Sequence, residues 1–213
     1  MLIYVVRHGE TRSNVEGRLQ GQSNDALNEN GIRLAEITGE GLKNTQFDGC
    51  ISSPLIRAKM TAEILLRESG NADIEIEYDD RIKEISFGQA EGKRLGTPEL
   101  PGAEAANLLH DPFRFSGFPG GETIRQVCAR TQEFLRELCA RDDDKTYLVA
   151  THGCALRCML NFLYDDPSDF WHGHVPYNCA VNIIEAKDGR ITLIEDDKVF
   201  YDLKEANDRY ARY

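Results

Sequence analysis

The sequence predicts an α/β fold built on a mostly parallel sheet. Short apolar runs that read as buried strands alternate with segments whose apolar residues recur every three or four positions, as on one face of a helix. Two of the apolar runs end in a polar tripeptide that contains histidine and glycine, at the strand ends where open α/β sheets collect ligand chemistry.

The elements follow in order. Leu2 to Val6 is the first strand, and Asn30-Gly31 precedes a helical segment that runs to about Leu42. Phe47 to Ile51 reads as a second strand. Ser53-Pro54 then opens a helix, with serine as N-cap and proline at the first helical position and an apolar face of Leu55, Ala58, Ala62 and Leu65. Ile74-Glu75-Ile76 alternates as a short strand. Residues 96–121, rich in proline and glycine, read as an irregular excursion over the sheet edge. Thr123 to Ala140 has the clearest helical period, through Ile124, Val127, Cys128, Thr131, Phe134, Leu135 and Leu138. Thr146 to Ala150 is a further buried strand, and Ala155 to Leu163 carries a helix face. Val181 to Ile184 and Ile191 to Ile194, separated by Lys187-Asp188-Gly189-Arg190, read as an antiparallel hairpin.

The bulk properties bound the function. A chain of 213 residues predicts one domain, residues 1–213, and 41% hydrophobic with 29% charged residues is ordinary for a soluble globular protein. A formal net charge of -11 argues against nucleic acid or an anionic membrane as partner. No run is long enough to span a bilayer, and the N-terminal run is too short and lacks the basic flank of a signal peptide. The six cysteines form no CxxC pair and no zinc spacing. They read as buried thiols of a reducing cytoplasm.

Arg7 and His8 follow the first strand, Ser52-Ser53-Pro54 the second, with Arg57 one turn into the next helix, and Thr151-His152-Gly153 the strand at 146–150. If these strands are parallel neighbours, two imidazoles and two guanidiniums converge on one pocket. Guanidinium forks and helix N-termini both suit phosphoryl oxygens. Each residue alone has a plainer reading: His152 as a loop histidine, Arg57 as a solvated ion-pair partner, Glu84 as one glutamate of an acidic chain. His172 and His174 lack a third ligand nearby and read as ordinary loop rather than as a metal site. His110-Asp111 and the run Asp142-Asp143-Asp144 read as surface, and the stretch from Lys204 to Tyr213 as a short helix or a frayed tail.

Taken together, the pieces resemble the histidine phosphatase superfamily, also called the phosphoglycerate mutase-like family. The resemblance is to the bacterial branch that holds alpha-ribazole phosphatases and broad-specificity phosphatases. It rests on Arg7-His8-Gly9-Glu10-Thr11, Asn14, Arg18-Leu19-Gln20-Gly21, Leu27-Asn28-Glu29-Asn30-Gly31, Ser52-Ser53-Pro54 with Arg57-Ala58 and Thr61-Ala62, Glu84 with Phe87-Gly88 and Glu91-Gly92, Gly120-Gly121-Glu122-Thr123, and Thr151-His152-Gly153, all in the family's order. It runs from Leu2 to about Ile184. It implies a three-layer α/β/α sandwich and a metal-independent phosphomonoesterase acting on a small phosphorylated metabolite, with no cofactor.

By that resemblance His8 is the nucleophile, Arg7, Arg57 and His152 hold the phosphoryl oxygens, and Glu84 protonates the leaving oxygen and then activates water. Thr11, Asn14, Gln20, Gly21, Gly153 and Cys154 occupy substrate-lining or phosphate-lining positions, and residues 93–121 shape the substrate pocket. Glu91 anchors a turn. Cys154 stands where mutases of the family carry asparagine, Phe87 where they carry tyrosine, and the long mutase insertion is missing. These departures favour a hydrolase over a phosphoglycerate mutase. The complete catalytic set disfavours a silent phospho-ligand binding module, and chain length disfavours a phosphohistidine phosphatase of signalling proteins. A homodimer stays open.

Overall fold

A computed structural model describes residues 1–100, 102–141 and 143–207. Asp142 and the segment 208–213, part of the C-terminal stretch considered above, lie outside the described residues. The core is a six-stranded sheet in the order β3-β2-β4-β1-β5-β6, formed by β1 (Leu2–Arg7), β2 (Gly49–Ser52), β3 (Ile76–Tyr78), β4 (Thr146–Thr151), β5 (Val181–Lys187) and β6 (Arg190–Lys198). β1, β2, β3 and β4 pair in parallel, and β5 runs antiparallel to both its neighbours. β1 and β4 pair from Leu2↔Thr146 to Arg7↔Thr151, so Arg7-His8 and Thr151-His152 leave the sheet side by side.

Alternation along the strands makes the sandwich. Ile3, Val5, Ile51 and Val149 face α5 (Ile124–Cys139) and α6 (Gly153–Leu160) through Leu135, Leu138, Leu156 and Met159. Val6, Cys50, Leu148 and Ala150 face the opposite layer, α2 (Glu29–Gly41) and α3 (Ile56–Glu68), through Leu42, Ala58, Ala62 and Leu65. Period-two strands with both faces apolar require helices on both sides. The thiols of Cys50, Cys154, Cys158 and Cys179 are buried, and all six cysteines are free. No helix among the described residues is long and apolar enough to cross a membrane.

Several boundaries differ from the sequence reading. The helix expected to follow Asn30-Gly31 already includes them: α2 starts at Glu29, and Asn28 caps it, its side chain accepting from Gly31 N at 2.7 Å. Ser53 does not cap α3. That helix starts at Ile56 without a side-chain cap, and the Ser53 hydroxyl is engaged elsewhere. β2 starts two residues later than expected, because Phe47 N donates to Asn71 Oδ1 at 3.0 Å rather than to a strand. β3 shifts to Ile76–Tyr78, since Ile74 N closes a turn on Asn71 O at 3.2 Å. The helix expected over 155–163 is α6 followed by a 3₁₀ turn at Asn161–Leu163. A five-residue helix, α1 (Arg12–Glu16), was not expected. Thr11 caps it in a reciprocal box with Asn14.

The segment expected to be irregular contains α4 (Ala103–His110) and a 3₁₀ turn at Pro112–Arg114. It does not lie over a bare sheet edge. Leu95, Leu100, Leu108, Phe115 and Phe118 pack on Ile124 and Val127 of α5 and Ala155 of α6. Its prolines and glycines punctuate the sequence, so the helical period between them is too short to stand out.

The loop after β1 is clamped onto α2. A Cβ at Gly31 would lie 2.1 Å from Glu10 O and 2.6 Å from Glu10 N, both backbone atoms. Gly31→Ala is therefore expected to cost about 1–3 kcal/mol of overpacking, measured as a lower urea midpoint at unchanged slope. An unchanged midpoint would show that the loop can move away freely.

Candidate active site

The parallel register of β1, β2 and β4 gathers the predicted residues at one sheet end. Arg7, His8, Asn14, Gln20, Gly21, Arg57, Glu84, Gly153 and Cys154 line one cleft. Thr11 and His152 are fully buried behind the lining residues. Thr11 Oγ donates to Gln20 Oε1 at 2.9 Å, and its backbone N donates to Asn14 Oδ1 at 3.0 Å, so it braces two lining residues from beneath.

His8 Nδ1 lies 2.7 Å from Gly9 O. A carbonyl only accepts, so Nδ1 carries the hydrogen and Nε2 keeps its lone pair. Burial holds this imidazole well below its ordinary pKa, the charges of Arg57 and Arg7 push the same way, and the bond to Gly9 opposes them. His152 lies beside it, ring centroids 5.2 Å apart. Its Nε2 is 2.8 Å from Ser53 Oγ, and its Nδ1 has no partner among the described residues. Burial, then the charge of Arg57, then His8 hold its pKa well down too.

Arg57 is fully buried. Its terminal nitrogens donate to Ser23 O at 2.7 Å and Gly21 O at 2.6 Å, and burial lowers its pKa to about 10 against the opposing charge of Glu84. Gly21 supplies that carbonyl from a left-handed conformation (φ 53°), with Glu91 so close that a Cβ would meet its Oε1 at 2.3 Å. Glu91 accepts from Gln22 N at 2.9 Å and Phe87 N at 3.3 Å, the turn anchor expected of it. Arg7 donates to Pro176 O.

Glu84 sits at the start of α6. Its Oε1 accepts from Ala155 N at 2.9 Å and Ile85 N at 2.9 Å, and Oε2 accepts from Cys154 N at 3.2 Å. A helix N-terminus is a favourable seat for a carboxylate. Cys154 thus serves the cleft with its backbone as well as its side chain.

Sequence reasoning missed what holds this glutamate. Arg130 on α5 donates to Lys83 O at 2.6 Å, Arg81 O at 2.7 Å and Glu84 O at 3.1 Å, and it pairs with Glu122 at 2.9 Å. Glu122 also accepts from Ser86 N at 2.9 Å. Burial acts against the Glu122 carboxylate, but Arg130 and Ser86 N hold its pKa below the usual range. Glu122 stands in the Gly120-Gly121-Glu122-Thr123 motif. Arg130, two helical turns on, looks in the sequence like any exposed helix cation. Asn178, which donates to His8 O at 3.0 Å, carried no signal. Trp171, the single tryptophan, was a signal left unused. His174 pairs with Asp197 at 3.1 Å, and His172 stacks on Tyr164 with centroids 3.8 Å apart. No group of three or more potential metal ligands occurs among the described residues.

The sequence model of the histidine phosphatase superfamily (branch 1) matches residues 3–196. The chain belongs to that superfamily. A fructose-2,6-bisphosphatase TIGAR from Xenopus tropicalis is 41% identical over 139 residues, which cover 63% of this chain and 48% of that relative. The chain therefore spans about half the length of that curated relative. Among solved structures, Bacillus stearothermophilus YhfR superposes with a TM-score of 0.85 at 30% identity over 93% of this chain and 97% of that one. A phosphoserine phosphatase from Entamoeba histolytica, solved as a histidine-to-alanine mutant in complex with phosphoserine, gives 0.78 at 27% identity over 92% and 96%. These folds are phosphoglycerate mutase-like, as the resemblance implied.

The buried neutral imidazoles make stability depend on pH. As pH falls below about 6.5, the unfolded chain takes up protons that folded His8 and His152 refuse, so stability falls by up to about 1.4 kcal/mol per pH unit for each group. Both pKa values are lowered, so the loss begins at the unfolded value and continues down to the folded ones. Urea unfolding at pH 7.5, 6.5 and 5.5 should show this slope, and His152→Gln should flatten it. An equally steep slope in that variant would place the protons elsewhere.

Proposed function

We propose that the chain hydrolyses a small phosphomonoester through a phosphohistidine on His8. One observation carries the reading: the bond from His8 Nδ1 to Gly9 O leaves Nε2 unprotonated in a cleft that also presents Arg7, Arg57 and Glu84. The relatives support it by name, one a fructose-2,6-bisphosphatase and another a phosphoserine phosphatase.

In the first step His8 Nε2 forms a bond to phosphorus while the bond to the leaving oxygen breaks. That oxygen takes a proton from Glu84, which a substrate entering as its monoanion supplies. Arg7 and Arg57 face the non-bridging oxygens, and His152 gives its Nδ1–H to one of them. In the second step water attacks phosphorus, Glu84 takes the water's proton, and the P–N bond breaks to release inorganic phosphate and restore His8. The charges needed come from the protein's own side chains. Turnover is therefore expected to continue in the presence of a chelator. Activity that disappears in chelator and returns with added magnesium or zinc would contradict this.

His8→Ala should abolish both turnover and acid-labile phosphoenzyme. Glu84→Gln separates the two roles of the glutamate. Alkyl phosphates should lose most, about 10²–10⁴-fold for the loss of a positioned acid. A nitrophenyl phosphate should still transfer its phosphoryl group, giving a burst of nitrophenol followed by a slow steady state. Equal losses for both substrates without a burst, or a larger effect of Glu91→Gln, would remove Glu84 from this role.

A further inference from the structure

We infer that the leaving group fitted to this cleft is an apolar, flat-bodied alcohol carrying no second anionic group. The inference rests on the phosphatase reading and names the substrate class of that same site. Beyond the phosphate end, the cleft is walled by Phe87, Leu95, Leu108, Leu109, Trp171 and Val175. Three of these come from the segment 93–121, so the excursion builds one whole wall.

The cations are already committed. Arg57 and Arg7 are buried at the phosphate end. Arg18 is the remaining cation among the lining residues, and it is held by its neighbours. Its Nε donates to Glu16 at 2.7 Å, one terminal nitrogen donates to Gly92 O at 2.7 Å, and Glu99 lies 3.7 Å away. A second phosphate or a carboxylate on the substrate would face leucine and tryptophan, with the Glu84 carboxylate also lining the cleft. An anion buried without a partner is strongly disfavoured. An apolar ring in the same place is favoured in proportion to the area it covers.

The wall is also fixed in advance. Trp171 Nε1 donates to Leu108 O at 3.1 Å, which ties the tryptophan to α4, and Phe170 packs edge-on against the indole with centroids 4.7 Å apart. A preformed flat surface loses little freedom on binding. Behind it, a second cavity shares Leu109, Trp171 and Val175 with the cleft and is lined further on by Asp111, Ser168, Asp169 and His174. A body long enough to reach it would meet the carboxylates of Asp111 and Asp169 beside His110 and His174.

The test compares phosphomonoesters whose leaving alcohols are alike in acidity: 2-phenylethyl phosphate, 2-(1-naphthyl)ethyl phosphate, glycerol 3-phosphate, 3-phosphoglycerate and phosphoserine. Wild-type kcat/KM is expected to be at least tenfold higher for the two arylalkyl esters than for the two carboxylates, with glycerol 3-phosphate between. Trp171→Ala should lower the arylalkyl values about tenfold, mainly through KM, and compress the ratio. Leu109→Arg should invert it by raising 3-phosphoglycerate. Equal values across the wild-type panel, or a preference for the carboxylates, would overturn the inference and leave the phosphatase reading intact. Failure to hydrolyse any of the esters would overturn the phosphatase reading instead. Calorimetric binding of 2-phenylethylphosphonate against 3-phosphonopropionate would then decide the substrate class. Tighter binding of the phenyl compound supports the inference, and tighter or equal binding of the carboxylate overturns it.

Discussion

A buried guanidinium is the constraint on which this structure depends. Arg57 is fully buried, and a buried cation is tolerated only where its N–H groups find acceptors. Two backbone carbonyls, from Gly21 and Ser23, accept from its terminal nitrogens, while its Nε has no partner among the described residues. For those carbonyls to point inward, the chain after α1 must turn back over α3, with Gly21 in a left-handed conformation that other residues rarely adopt. Glu91 then takes up the exposed N–H of Gln22. A single buried charge thus shapes the loop at 17–25 and ties it to the segment at 84–92.

Burial, and then the same charge, set the state of the histidines. Buried and with Arg57 and Arg7 close by, an imidazolium at His8 or His152 is disfavoured on both counts. The site therefore holds positive charge on groups that cannot give it up, beside imidazoles that stay neutral. Glu84 completes the arrangement from the other side. Its seat at the N-terminus of α6 is secured by the Arg130–Glu122 pair, which grips the carbonyls of residues 81, 83 and 84. A carboxylate on a loop would otherwise be free to leave for solvent.

Much of this was legible in the sequence, for physical reasons. Strand ends carry function in parallel sheets, so Arg7-His8 and Thr151-His152 announced themselves by following apolar runs. The period of α5 showed its buried face. What could not be read depends on long-range pairing. Ser53 next to a proline has the local signature of a helix cap, yet its hydroxyl bonds His152, a residue far along the chain. Arg130 and Arg157 look like surface cations until the fold supplies their partners. Helix α4 was hidden by the glycines and prolines around it, and its burial on α5 and α6, not its local pattern, makes it a helix.

Arg157 shows how far the demands of the site extend. It is fully buried in α6 and pairs with Asp197 and with Tyr164, whose hydroxyl is 2.5 Å away. Burial acts against the Asp197 carboxylate, but His174 and Arg157 hold its pKa below the usual range. This bracket fixes the loop that runs from Tyr164 to Asn178. That loop presents Pro176 O to Arg7, Asn178 to the carbonyl of His8, and Trp171 and Val175 to the cleft. One loop therefore supports His8 at one end and forms the apolar wall at the other. On the proposed reading, the wall bears on the fate of the phosphoryl group as well. A mutase must keep hold of a substrate that bears an anion besides the transferring phosphate. A cleft whose cations either serve a single phosphate or, like Arg18, are held by Glu16 and Gly92 gives such an intermediate nothing to hold it, so the alcohol departs and water takes its place on phosphorus.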